Sequence, residues 1–298
     1  MSALKITLLA MWLGLGEASA HGLNDDTGGP EWTFDPWVVT PLAVFGLLYA
    51  IGIVKLSRQS GRGRTKFAGR VALGLTGGAT LAAALMSPLH WLGEHIFTFH
   101  MIEHEIAMAV SAPLLVAARP LATVMWGLPH HARRLVGTGL AARTMRMAWE
   151  WLTRGTSASI LHAVAIWGWH VPGLFDAAVT DVALHRLQHF SFFITAVLFW
   201  WSVLWRSSRG AAAWYIFVTM MHTGILGALM ALAPRVLYTA QTQAARSWGL
   251  TPLEDQQLAG IVMWIPAGTI YAGAALTMAA LWVARSGQPS GEMQRARP

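Results

Sequence analysis

Seven apolar stretches, each long enough to cross a lipid bilayer, leave this chain few folds to choose from. They run over about 37–56, 71–89, 99–118, 156–175, 185–205, 212–232 and 258–284. A spanning helix needs about 20 such residues. Lipid offers the backbone no hydrogen-bond partner, so continuous helices are the expected form. The fold class is all-α: a polytopic membrane protein with seven transmembrane helices after an N-terminal signal segment. Charged residues make up only 12% of the chain, about half the roughly 25% of a soluble domain.

The first residues read as a secretory signal over 1–20. Lys5 is a short positive region, 6–16 is apolar, and Ala18-Ser19-Ala20 is a small-residue cleavage site before His21. A polar lead over 21–36, a membrane domain over 37–284 and a tail over 285–298 follow. The net charge of +7 suggests nucleic acid until it is mapped. Of the 21 Lys and Arg, all but Lys5, Arg186, Arg235 and Arg246 fall in alternate segments: after the first span, after the third, after the fifth and in the tail. The positive-inside rule makes those segments cytoplasmic and the mature N-terminus periplasmic, in a bacterial inner membrane. The charge is thus a topology signal, and nucleic acid is excluded as a partner in favour of lipid.

Other chemistry is excluded by what the chain lacks. There is no Cys, so no disulfide, thiolate metal site or C-x-x-C motif is available. Lys occurs only at 5, 55 and 66, never after Gly, which removes a phosphate-binding loop. Gly224-x-x-x-Ala228 is a small-residue pattern suited to close helix approach. The basic, Trp-rich stretch over 121–151 suits a short amphipathic helix on the cytoplasmic surface.

Histidine carries the functional signal. Of 12 His, eight fall at or near the outer side, a clustering independent of the basic residues that set the orientation. His100-Met-Ile-Glu-His104 opens the third span and His185-Arg-Leu-Gln-His189 the fifth. Residues i and i+4 share a helix face, so each pair presents two imidazoles to one ion at the same depth. His170, before Pro172, adds a candidate from the fourth span. Ionisable groups at membrane depth face the bundle interior. Imidazole suits copper, zinc and iron, and thioether favours Cu(I). With Met101 beside the first pair, Met86 four residues before His90, and no Cys, copper suits the site better than zinc or haem. Glu103, Asp176 and Asp255 are candidates to fix imidazole tautomers. His90 and His222 are auxiliary candidates.

These residues resemble the polytopic CtaG family of cytochrome c oxidase assembly factors. The resemblance is carried by His100-Met101-x-x-His104, Ala112-Pro113-Leu114-Leu115 with Pro120, Trp169-His170-x-Pro172-x-x-Phe175-Asp176, His185-x-x-x-His189 running into Phe199-Trp200-Trp201, and Asp255-Gln256-Gln257-Leu258-Ala259-Gly260 with Trp264 and Pro266. It implies a non-catalytic role in maturing haem-copper oxidases by supplying copper, with oxidase subunits and a periplasmic copper chaperone as partners. The chain departs from the family pattern at Arg119, where Gly is common before the Pro, and at Glu105, where an apolar residue is usual. Three other readings stay open on the residues alone: a copper importer or resistance permease using His162 and His222 as inward steps, a b-type cytochrome, and a metal-free scaffold.

Overall fold

The computed structural model describes residues 29–58 and 64–286. The signal over 1–20, the cleavage before His21, lead residues 21–28, Arg62 and the tail beyond 286 lie outside the described residues. Among the described residues every regular element is helical.

Helix α1 (Pro36–Ser57) starts where Asp35 accepts a hydrogen bond from the Trp37 amide and Pro36 takes the first helical position. Helix α2 (Arg64–Met86) is followed by a short α3 (Pro88–His95). The second span was expected to continue to Leu89, but Ser87 caps α3 by accepting from the Leu89 amide, with Pro88 behind it. Met86 and His90 therefore sit on different helices, not one turn apart on the same one. Helix α4 (Phe97–Ala118) follows. The stretch expected to hold one amphipathic helix forms three: α5 (Pro120–Gly127), α6 (His130–Ala141) and α7 (Arg143–Leu152). Helices α6 and α7 bury no residue and expose Leu135, Met147 and Trp151, the surface a membrane-lying helix presents.

The fourth span is broken. Helix α8 (Gly155–Trp169) is bent by 76° from α9 (Pro172–Thr180). The α region is disfavoured for a residue preceding Pro, and Val171 is accordingly extended. Helices α10 (Val182–Arg206), α11 (Arg209–Ala231) and α12 (Pro252–Ser286) complete the bundle. Six single helices are long and apolar enough to span, and α8–α9, counted as one broken span, makes the seventh.

Helix α4 is the centre of the bundle: 61% of its most apolar stretch is buried, against 11% for α1. Its middle is π-helical over Ile106–Ser111. Pro113 supplies the cause, since it has no amide for the Ala109 carbonyl and its ring crowds that carbonyl. The indole N–H of Trp200 donates to the Met108 carbonyl within the widened turn (3.0 Å). The helix ends at Arg119, the one non-glycine residue with positive φ among those described (51°). That conformation costs about 1–2 kcal/mol for a residue with a Cβ, which accounts for Gly being common there. Here the Arg119 guanidinium lies 3.4 Å from the Trp205 ring centroid, a contact worth about 2 kcal/mol when desolvated.

Helix starts are tied together at one end of the bundle. Arg186 on α10 donates two hydrogen bonds to Asp35 at the start of α1 (2.9 and 3.1 Å). Asp255 on α12 accepts from the Phe97 and Thr98 amides at the start of α4 (2.8 and 2.9 Å). Helices α11 and α12 pack closely, but not at Gly224 as the small-residue pattern suggested. A Cβ on Gly224 would meet Trp264 at an ordinary 3.5 Å, whereas one on Gly227 would meet the Gly260 carbonyl at 2.8 Å and one on Gly260 the Gly227 carbonyl at 2.6 Å. Replacing Gly227 with Leu should cost about 1–3 kcal/mol by overpacking, read as a lower thermal midpoint in detergent, while Gly224→Ala should leave the midpoint unchanged.

Candidate metal centre

The two helices that carry the H-x-x-x-H pairs face each other. His100 and His104 project from α4 with 1% and 2% of their surface exposed. His185 and His189 project from the first turns of α10. One nitrogen each of His100, His104 and His189 lies within 4.8 Å of the others. Imidazoles sharing a metal at 2.0–2.1 Å place their nitrogens about 3–4 Å apart, so a small rotation closes the set. Ring centroids are 4.3 Å apart for His100 and His104, 4.7 Å for His104 and His189, and 4.5 Å for His185 and His189. His185 lies 5.7 Å from His100, on the outer rim of the cluster.

The fit to a cation follows from hydrogen bonding. Both nitrogens of His104 and the Nε2 of His189 are buried with no hydrogen-bond partner among the described residues. A neutral imidazole carries one lone pair, and leaving a buried acceptor unsatisfied costs about 1–3 kcal/mol. Lone pairs gathered at one point are ligands for a metal ion.

Glu103 anchors the outer side. Its Oε1 accepts from His90 Nδ1 (2.9 Å) and lies 3.5 Å from His189 Nδ1. A carboxylate on Nδ1 directs the other nitrogen into the cluster, the usual way a ligating imidazole is oriented. Gly93 makes room: a Cβ there would stand 3.0 Å from Glu103 Oε2 and 3.2 Å from His100 Cα. Helix α3 can therefore lie against α4 and bring His90 to the carboxylate. Burial disfavours charge on His90, but Glu103, with Glu94 behind it, overrides this and raises its pKa to about 9.

The remaining candidates divide. His170 donates Nδ1–H to the Ile166 carbonyl (2.6 Å), leaving a buried Nε2. Phe175 and Phe192 stand between it and the cluster: Phe175 touches the rings of both His170 and His100, and Phe192 those of both His170 and His104. Asp176 and Asp255 do not orient imidazoles. Asp176 accepts from Thr239 Oγ1 and the Ala240 amide, holding the loop between α11 and α12, and Asp255 caps α4. Asp255 is a helix-end acid that accepts from backbone amides, and Asp176, in the middle of α9, has the Thr239 hydroxyl as its nearest donor. Met101 packs in the hydrophobic core, and the Met86 carbonyl accepts from the Thr33 amide. His222 is remote from the cluster and accepts from Trp167 Nε1 (3.3 Å). His162, also remote, bonds Thr195 and stacks on Phe199.

Three features escape a reading of the sequence. Glu94, which counted only as an outer acid, lies 3.6 Å from His90 Nε2. Gln188, beside His189, is fully buried with its amide unpartnered among the described residues; its polarity within an apolar run was the available signal. The third is the loop between α11 and α12, which lies over the cluster. Its Tyr238 packs on Phe97 and Phe175 (5.0 Å each) and donates to the His170 carbonyl (2.8 Å). The extra carboxylate Glu105 turns away from the imidazoles to become an electrostatic neighbour of Tyr271.

Two outcomes follow. Asp255→Ala should remove the cap of α4 and lower stability by about 2 kcal/mol, measured by thermal unfolding, with Asp255→Asn losing less. For the metal-free protein, the His90–Glu103 pair stabilises fully below the unfolded His pKa of about 6.5. That contribution should fade as pH rises through about 9, and a midpoint-against-pH curve for His90→Gln should lack this alkaline fall.

The chain is 25% identical over 247 residues to uncharacterized proteins of Mycobacterium bovis and Mycobacterium tuberculosis, and 24% identical over 250 residues to one of Mycobacterium leprae. Each match covers 78% of this chain but 36% of the relative, so the chain spans about a third of the length of these relatives. No solved structure matches it. The model of the cytochrome c oxidase caa3 assembly factor family (Caa3_CtaG) matches residues 47–285, nearly the whole helical bundle with every imidazole of the cluster, and the chain belongs to that family.

Proposed function

We propose that this protein takes part in assembling a haem-copper oxidase by holding a copper ion at the His100–His104–His189 cluster and passing it on. The cluster faces the periplasm of a bacterial cytoplasmic membrane, no reaction is catalysed, and oxidase subunits receive the ion. The observation that carries the reading is the convergence of three imidazoles from two helices, with both nitrogens of His104 and the Nε2 of His189 buried and without a hydrogen-bond partner among the described residues. Family membership supplies the oxidase. Imidazole donors suit copper and zinc alike, and the oxidase that family membership supplies is what selects copper, with zinc second. The basic residues between α1 and α2, between α4 and α8, and after α10 and α12 support the orientation.

Two rival readings fit the geometry less well. A permease needs a polar path onward from the cluster, and Phe192 and Phe199 fill the space between it and His162. A b-type haem needs imidazoles from two helices on opposite faces of a macrocycle, and His104 and His189 pack edge to face with centroids 4.7 Å apart, which leaves no room for a macrocycle between them. His185, and His170 after a shift of Phe175 or Phe192, are reserve ligands for an exchange step.

The test is metal analysis of detergent-purified protein. His100→Ala combined with His104→Ala should lower copper per chain by about tenfold or more and reduce the activity of the partner oxidase in the same membranes. Unchanged copper in that variant would refute the ligand assignment. A Soret band in the wild-type spectrum would return the reading to haem.

A further inference from the structure

The cluster is buried, so an ion must be handed into it. His100 and His104 are almost wholly inaccessible, and a bare cation cannot be moved through an apolar interior without replacement ligands. The donors on α3 and α4 form a graded series instead. The side chain of Glu94 is 32% exposed, that of His90 11% and that of Glu103 1%. Glu94 and His90 are one helical turn apart, with Oε1 and Nε2 separated by 3.6 Å. The His90 ring centroid is then 6.0 Å from His185 and 6.1 Å from His189. Those two rings are 5.7 and 5.9 Å from His100, and His189 is 4.7 Å from His104. Each gap is one that a side-chain rotation closes.

Other groups at this end are already engaged. His95 stacks on Trp91 at 4.0 Å and bonds its carbonyl. Arg186, next to His185 in the chain, is held by both oxygens of Asp35, which neutralises a charge that would repel an arriving ion.

We infer that Glu94 and His90 form an outer capture subsite for a transition-metal cation, and that the ion passes from it to the buried imidazoles by ligand exchange at His185 and His189. The inference rests on the reading of the cluster as a copper site and adds the route by which that site fills. A carboxylate paired with an imidazole suits a cation still partly hydrated, whereas the all-imidazole interior suits one stripped of water. In the empty protein His90 is held on Glu103; on capture it releases the proton of its Nε2 to solvent and turns that nitrogen to the ion, while Glu103 stays on His189. The metal gains each new ligand before it loses the last, and no electron is transferred.

The experiment measures two quantities on the full chain in detergent, with Cu(I) supplied as a coloured chelator complex: the copper bound at equilibrium and the rate of transfer from chelator to protein. Glu94→Gln and His90→Gln should each slow transfer by about tenfold while final copper content stays at the wild-type value. His104→Ala should lose the bound copper itself. Glu254→Gln, an exposed acid at the same end, should transfer at the wild-type rate. Because Glu94 is at the surface, Glu94→Gln tests the route without threatening the fold. Wild-type rates in both Glu94→Gln and His90→Gln, with copper content intact, would overturn the route and leave the copper site standing. Loss of bound copper in His90→Gln would make His90 a resident ligand and also overturn the route. Failure of the wild-type protein to take copper at all would overturn both readings.

Discussion

An imidazole with both nitrogens out of water is an expensive thing to place in a membrane protein, and His104 is in that position. His100 and His189 pack edge to face on it and give ring–ring contact, but a ring edge does not satisfy the buried lone pair of His104. Packing alone would favour Leu or Phe at these positions, as the neighbouring Phe97, Phe175 and Phe192 show. The surrounding structure therefore has to hold α4 and α10 in a register that their own side chains do not reward.

The means of holding are concentrated at one end. Asp255 reaches from α12 to cap α4, Arg186 ties α10 to the cap of α1, and Glu103 joins α3 to α10 through His90 and His189. Tyr238, Gln241 and Gln256 then lay the loop between α11 and α12 across the top. Gln241 donates to the Gly93 carbonyl, and Gln256 accepts from the Leu237 amide. Among these groups Asp255 and Asp35 also accept from the first amides of α4 and α1, so orphan amides are satisfied in the same act that fixes those helix ends. The opposite half of the bundle is held by aromatic and small-residue packing: Trp200 on Tyr271, Phe199 on His162, Gly155 on Tyr215. One end is thus polar and precise, the other apolar and adaptable.

That division explains what the sequence made legible. Span number, helix type and the paired histidines are local or periodic properties, readable from runs of apolar residues and from i, i+4 spacing. The breaks were written locally too: Ser87-Pro88 is a cap followed by a favoured first helical residue, and Pro172 bends the fourth span. Long-range assignments were less readable. Asp176 and Asp255 resemble acids that orient imidazoles, yet they bind amides 64 and 158 residues away in the chain, and no spacing reports that. Glu94 gained meaning only when Gly93 allowed α3 to lie flat on α4. Gly224-x-x-x-Ala228 misled because a helix face is defined by its partner, and α12 meets α11 at the next turn.

The asymmetry also bears on direction. Below His104 the interior is closed by Phe192 and Phe199, and the next imidazole inward, His162, has its Nδ1 on Thr195 and its ring stacked on Phe199. Above it, donors continue through His189, His185 and His90 to Glu94. A cup of this shape has one mouth, so under the proposed role an ion that entered it would leave by the same side. Release would then depend on a competitor approaching from that side, which a receiving protein with its own thiolate or imidazole donors would provide and a transmembrane gradient would not. The steps outward would be the steps inward reversed, with the depth of the cluster as a barrier that a partner would lower by engaging the rim at α3 and the loop that lies across it. On this reading the seven helices are a support that keeps a small, dry group of imidazoles close enough to the surface to be reached and far enough below it to exclude water.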